Sequence, residues 1–324
     1  MRFIPGTVSS FNQKRHPYYI FAADFRDTSA GVTALHYLCH ALNCAGESAF
    51  LLNTTASKPG LNVRFLSESD CWHHKDSGVV PIMVYPEIVS GNPYNAIAVV
   101  RYMLNRDGFL TGQKIERTGG NIELTFYHSM EFVPPHEKSP EVIQVPVLDD
   151  ALFAPPGIRK ERTGSYLFIS RFDKAEIDFS QLPADVEILS IENPKSLEEL
   201  ASIFQTAKVL YSYEISGTCV CAMLAGCPVI YVKNRNLTAI PGLRDYSTDG
   251  SAFIGEPGGM ERAQATVAKV RKHWQKIKDK FPLQLHNFID RTQTYGDAIN
   301  RIEGRGIDYV MWSLFPNTRQ QRVV

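Results

Sequence analysis

Four residues whose side chains or backbone could bind an anion or accept hydroxyl groups fall within five positions. They lie in YSYEISGTCVCAMLAGCPVIYV, residues 211–232, where Glu214 is followed by Ser216, Gly217 and Thr218. An apolar run ends at the glutamate, and an Ala- and Cys-rich segment runs on to Gly226 before a second β-branched run. Period and punctuation read as strand, polar turn, helix, glycine stop, strand. A helix N-terminus leaves its first N–H groups unpaired and carries the positive end of the helix dipole. With two hydroxyls and a glycine that lets an anion approach the backbone, this is a natural seat for phosphate. Glu214 at the strand end could accept hydrogen bonds from sugar or ribose hydroxyls. The bland alternative is a helix cap, the commonest use of Ser or Thr there.

A second element adds charge. FISRFDKA, 168–175, places Arg171 and Lys174 just after another apolar run. Two cations beside a helix N-terminus suit a diphosphate leaving group. Taken singly, either one reads equally well as a solvated strand-end charge.

The elements that must position these residues alternate. Strands are expected at 18–25, 48–53, 81–88 and 122–128, with helices at 31–46 and 95–105 between them. After a Pro- and charge-rich stretch over 133–160, a second series begins. It has strands at 165–172, 187–192, 208–214 and 227–232 and helices at 196–207 and 217–226, with amphipathic helix from about 259. Such alternation signifies parallel sheets with helices on both faces. The expected architecture is α/β, two Rossmann-like parallel-sheet domains facing a cleft, the second somewhat short. The boundaries read as 1–155, 156–296 and an apolar tail, 297–324, packing back on the first domain. Ligands of open α/β sheets bind at the C-terminal strand ends.

Composition narrows the function. The chain has 324 residues, 34 Lys+Arg against 34 Asp+Glu, and 44% hydrophobic residues. Zero formal charge excludes the sustained basic surface that duplex nucleic acid needs. No apolar run approaches membrane-span length, the opening residues lack a signal-peptide core, and six cysteines form no CxxC pair. A reduced, cytoplasmic protein is expected. His36 and His40 share a helix face without the adjacent glutamate of a zinc protease. CWHH, 71–74, lacks a spaced partner pair, and His128 reads as a satisfied core histidine. No G-x-G-x-x-G follows the first strand, which argues against a dinucleotide oxidoreductase. Neither a metal nor a bound cofactor is expected.

GSYLFISRFDKA together with KVLYSYEISGTCVCAMLAGCPVIY resembles the C-terminal domain of GT-B-fold retaining, nucleotide-sugar-dependent glycosyltransferases. ADFRDTSAGVTALHYLCHALNCAGESAFLL is similar to the family's opening strand, small-residue loop and helix. YPEIVSGNPYNAIAVVRYMLN resembles bacterial members that build surface polysaccharides. The family carries two donor-site glutamates eight positions apart. Here those positions hold Tyr213 and Cys221, with Glu214 one residue late.

The resemblance implies metal-independent transfer, with retention, from a nucleotide-sugar donor to a glycan or lipid-linked acceptor at or near a membrane surface. It implies that Arg171 and Lys174 neutralise the diphosphate, and that Glu87 lies beside the reacting sugar. Tyr213, Glu214, Ser216, Gly217 and Thr218 then belong to the donor site, as do Ser29 and Gly31 of the first domain's loop. Glu87 reads equally as an ordinary strand-end carboxylate. A catalytically lapsed GT-B module, or a nucleotide-sugar epimerase on the same architecture, is the alternative.

Overall fold

The computed structural model describes residues 14–117, 123–157, 161–242 and 247–303. They form two compact units, one comprising the chain up to Val145 together with residues from Lys280 onward, the other Pro146–Asp279.

The first unit is a six-stranded, all-parallel sheet. Its strands are β1 (Tyr18–Phe21), β2 (Ala49–Leu52), β3 (Ile82–Pro86), β4 (Ala98–Met103), β5 (Leu124–Tyr127) and β6 (Glu141–Val142). Their order is β2-β1-β3-β4-β5-β6. Every residue of β2, β3 and β4 is buried. Parallel strands covered on both faces carry continuous apolar runs for that reason. Helix α1 (Ala30–Cys44) follows β1. Helix α2 (Glu68–Asp76) opens with a capping box between Ser67 and Asp70.

Residues 95–105, expected as a helix, instead contain β4. The segment has no polar face at helical spacing, and Val99, Val100 and Tyr102 are strand formers buried at the sheet's centre. Its one charged residue, Arg101, is fully buried. The guanidinium donates to the Glu123 carboxylate at 2.9 and 3.1 Å, to the Val89 carbonyl at 2.7 Å and to the Gly91 carbonyl. A buried charge persists only when paired and hydrogen-bonded in this way.

The second unit is a five-stranded parallel sheet in the order β11-β10-β9-β7-β8. Its strands are β7 (Thr163–Ile169), β8 (Glu187–Ser190), β9 (Ala207–Ser212), β10 (Val229–Tyr231) and β11 (Ser251–Phe253). Helix α3 (Leu197–Thr206) starts from a capping box of Ser196 and Glu199. Helix α4 (Gly217–Leu224) closes at Gly226, whose φ of +83° is left-handed. Helix α5 spans Gly259–Thr266. Cys219, Cys221 and Cys227 are buried core residues here, and burial pushes all three thiols up.

Helix α6 (Val270–Glu303) begins in the second unit and ends in the first. In the first, Phe288 packs on Tyr18 and Phe126, and Thr292 shares a 2.8 Å hydrogen bond with the Tyr18 hydroxyl. The Tyr295 hydroxyl accepts from the Val99 N–H at 3.2 Å. Most of the apolar tail expected over 297–324 lies outside the described residues.

Candidate functional site

Strands β7 and β9 are neighbours, with Phe168 opposite Ser212, so both polypeptides leave the sheet at the same edge. Register therefore brings the Arg171 loop beside the Glu214 turn. Glu214 is 8% exposed, and its carboxylate accepts the N–H groups of Ser170 and Arg171, the latter at 3.0 and 3.1 Å. The Ser212 hydroxyl bridges the Glu214 backbone, donating to its carbonyl at 2.8 Å and accepting its N–H at 3.2 Å. Glu214 thus clamps the loop after β7 to the entry of α4.

Beside this clamp, at the ends of β7 and β8, lies a cavity of about 320 Å³ lined by Arg171, Phe172, Lys174, Ser190 and Glu192 among others. Arg171 is exposed, and its side chain has no partner among the described residues. Lys174 is half exposed and paired with the Glu192 carboxylate. Phe172 stacks on Tyr213 at 4.7 Å, while the Tyr213 hydroxyl bonds the Asp178 backbone. Tyr213 therefore packs the loop in place, buried at 4% exposure. Ser216 is the N-cap of α4 and accepts the Cys219 N–H at 3.3 Å. The N–H groups of Gly217 and Thr218 have no acceptor among the described residues. The edge thus offers two cations, two backbone donors and a hydroxyl, which together can hold a diphosphate.

Glu192 and Ser190 were not picked out from the sequence. The available signal was positional, since Ser190 ends β8 and Glu192 follows it closely, as Ser170 and Arg171 follow β7.

The first unit assembles the other group. Ser29 caps α1 and accepts the Val32 N–H at 3.5 Å. A Cβ at Gly31 would sit 3.7 Å from the Leu104 side chain. The Leu104 N–H donates to Glu87 at 3.0 Å, and Glu87 is 4% exposed. Ser29, Gly31 and Glu87 therefore share the C-terminal edge of the first sheet. Nearby, the Tyr102 hydroxyl donates to the Ile143 carbonyl at 2.8 Å and so must accept from the His128 Nδ1–H, also at 2.8 Å. Burial pulls His128 down to about 4.

His36 is a core residue, its ring nitrogens bonded to Ser57 Oγ and the Ala23 carbonyl. Cys71 and His74 of the CWHH stretch are buried in α2, with His74 Nδ1 2.8 Å from the Tyr19 hydroxyl. Among the described residues, no group of three or more His, Cys, Asp or Glu is placed to hold a metal ion. No described helix is long and apolar enough to cross a membrane.

No family model and no curated protein matches the chain. Among solved structures it is similar to the glycosyltransferase SnogD from Streptomyces nogalater, at 12% identity and a TM-score of 0.46, over 87% of this chain and 100% of that one. A glycosyltransferase from Rickettsia africae ESF-5 gives 9% identity and 0.43, over 96% and 100%. A protein described as a UDP-N-acetylglucosamine 2-epimerase from Listeria monocytogenes gives 9% identity and 0.41, over 83% and 91%.

Proposed function

We propose that the protein is a GT-B-type glycosyltransferase that moves a sugar from a nucleotide-sugar donor to a glycan or lipid-linked acceptor. The observation that carries the reading is the shared edge of the second sheet, where the Arg171–Lys174 cavity adjoins the open N–H groups of α4 through the Glu214 clamp. The donor's diphosphate is held by Arg171, Lys174 and the N–H groups of Gly217 and Thr218. Glu214 fixes their relative position.

Transfer is retaining and independent of metal. The bond between the anomeric carbon and the diphosphate oxygen breaks, the acceptor oxygen bonds the same face, and its proton passes to the departing phosphate group. With the base supplied by the leaving group, the protein contributes positioning and charge stabilisation. The chain works in the cytoplasm, where it meets lipid-linked acceptors at the membrane surface.

One feature favours a second reading, a lapsed module that binds donor without turnover. Cys221 stands where the family has its second glutamate, and it is buried among apolar side chains with no polar group to offer a ribose. A panel of nucleotide sugars, with and without glycan acceptors, tests both readings. Glycosyltransferase activity yields acceptor-dependent release of nucleoside diphosphate and a product of unchanged anomeric configuration by NMR. Binding without release supports the lapsed module, and conversion of donor without acceptor supports an epimerase.

A further inference from the structure

A second cavity in the second unit, about 590 Å³, lies at the opposite edge of the sheet, where β7 and β9 begin and α3 and α4 end. Its polar lining consists of Arg162, Gln205, Lys208, Gln264 and Arg271, and among the described residues that line it there is no carboxylate. Pro155, Pro156, Val267 and Ala268 supply apolar wall.

The charges are only partly neutralised in place. Arg162 donates to the carbonyls of Phe204, Ala207 and Ala225 at 2.8, 2.9 and 2.6 Å. Those groups satisfy its donors and the helix C-termini but leave its charge standing. Arg271 lies 3.7 Å from Asp150, which is also paired with Lys278 at 2.8 Å, so one carboxylate serves two cations. Arg271 also donates to the carbonyls of Asp150, Phe153 and Leu224 at 3.0, 3.4 and 3.5 Å, so capping of carbonyls accounts for Arg162 and, with the Asp150 carboxylate, for Arg271. It does not account for Lys208 or Gln264, both exposed and without partners among the described residues.

We infer that this cavity is a second binding site, for a ligand that joins a phosphate or comparable anion to an apolar body. The anion meets Lys208, Gln264 and the free face of Arg162, where a low-dielectric wall strengthens the attraction. The apolar body covers Pro155, Pro156 and Val267. The site is separate from the Arg171 edge and does not rest on the glycosyltransferase reading.

Octyl phosphate is the probe, titrated calorimetrically into the full-length protein below its micelle concentration, with uncharged octyl glucoside as the control. Octyl phosphate is expected to bind at one site and octyl glucoside at least about tenfold more weakly, since it lacks the charge-assisted bonds. Lys208→Glu and Gln264→Glu, both at exposed positions, should each weaken octyl phosphate by about tenfold with unchanged thermal melts. Lys208→Gln should give an intermediate loss. An Arg171→Ala/Lys174→Ala variant should bind as the wild type does. Absence of binding, equal binding of octyl glucoside, indifference to Lys208→Glu, or loss on Arg171→Ala/Lys174→Ala would each overturn the assignment.

Discussion

Glu214 holds the backbone of Arg171, its two carboxylate oxygens lying 3.0 and 3.1 Å from the Arg171 N–H. A residue on the strand end of β9 thereby sets the position of a loop that leaves β7, and the cation on that loop is aimed by a bond to its own main chain. Glu214→Ala should release the loop. A charge-assisted hydrogen bond contributes roughly 1.5–3 kcal/mol, so a clear fall in the thermal midpoint is expected along with weaker nucleoside diphosphate binding. Glu214→Gln, which keeps one acceptor oxygen, should recover part of both. If affinity falls in Glu214→Ala while the melt stays unchanged, the carboxylate contacts donor directly and the clamp is secondary.

Arg171 and Lys174 are exposed, so their loss should scarcely touch stability; exposed substitutions typically shift it by no more than about 0.5 kcal/mol. Removing one donor to a developing oxyanion costs about 10²–10³-fold in kcat, and Arg171→Ala should fall within or just below that range. Lys174 is already shared with Glu192, so Lys174→Ala should cost less, and Glu192→Gln should tighten diphosphate binding. Calorimetry with a nucleoside diphosphate beside a melt decides the matter. Unaltered affinity in both cation variants would remove the donor site from this edge.

Metal independence has its own test. Turnover should persist in EDTA, because the proposed charge stabilisation comes from side chains and helix N–H groups. Complete loss with chelator, restored by magnesium or manganese, would contradict the proposal.

Buried histidines set an acid limit. Burial holds both His74 and His128 at about 4, below the ordinary 6.5. The unfolded chain therefore binds protons that the folded chain refuses between those values. Their contribution is fully present above about pH 6.5 and is lost as pH falls through that window towards 4. Melting temperature should drop over the same interval, and His128→Gln should flatten the slope. A melt that is level from pH 7 to 4 would show that neither ring is held neutral.

At Gly226 the backbone is left-handed and an added Cβ would come within 2.7 Å of the Arg162 guanidinium. Gly226→Ala should destabilise by at least about 1 kcal/mol from backbone strain alone, with more from displacing Arg162 off three carbonyls. Chemical denaturation reads the difference. An unshifted midpoint would mean that Arg162 moves aside without loss.

The alternation of apolar runs with Gly, Pro and Ser punctuation was enough to read two parallel-sheet units and most of their elements from sequence, because strands buried on both faces and capped helices leave local marks. The places of Arg171 and Lys174 in the loop after a strand, and of Ser216 and Gly217 at a helix start, were legible for the same reason. Helix α2 could have been read from its Ser67–Asp70 capping box, whereas β11 is three residues long and too short to announce itself. What tertiary structure decided was pairing. Whether 95–105 would be helix or strand depended on the neighbours β3 and β5, since a uniformly apolar run satisfies either period. The partner of Glu214 depended on which strands lie side by side, and that register across β7 and β9 joins residues more than forty positions apart. No local pattern encodes such a contact, because its energy comes from burying a carboxylate against main-chain donors that only the assembled sheet brings together.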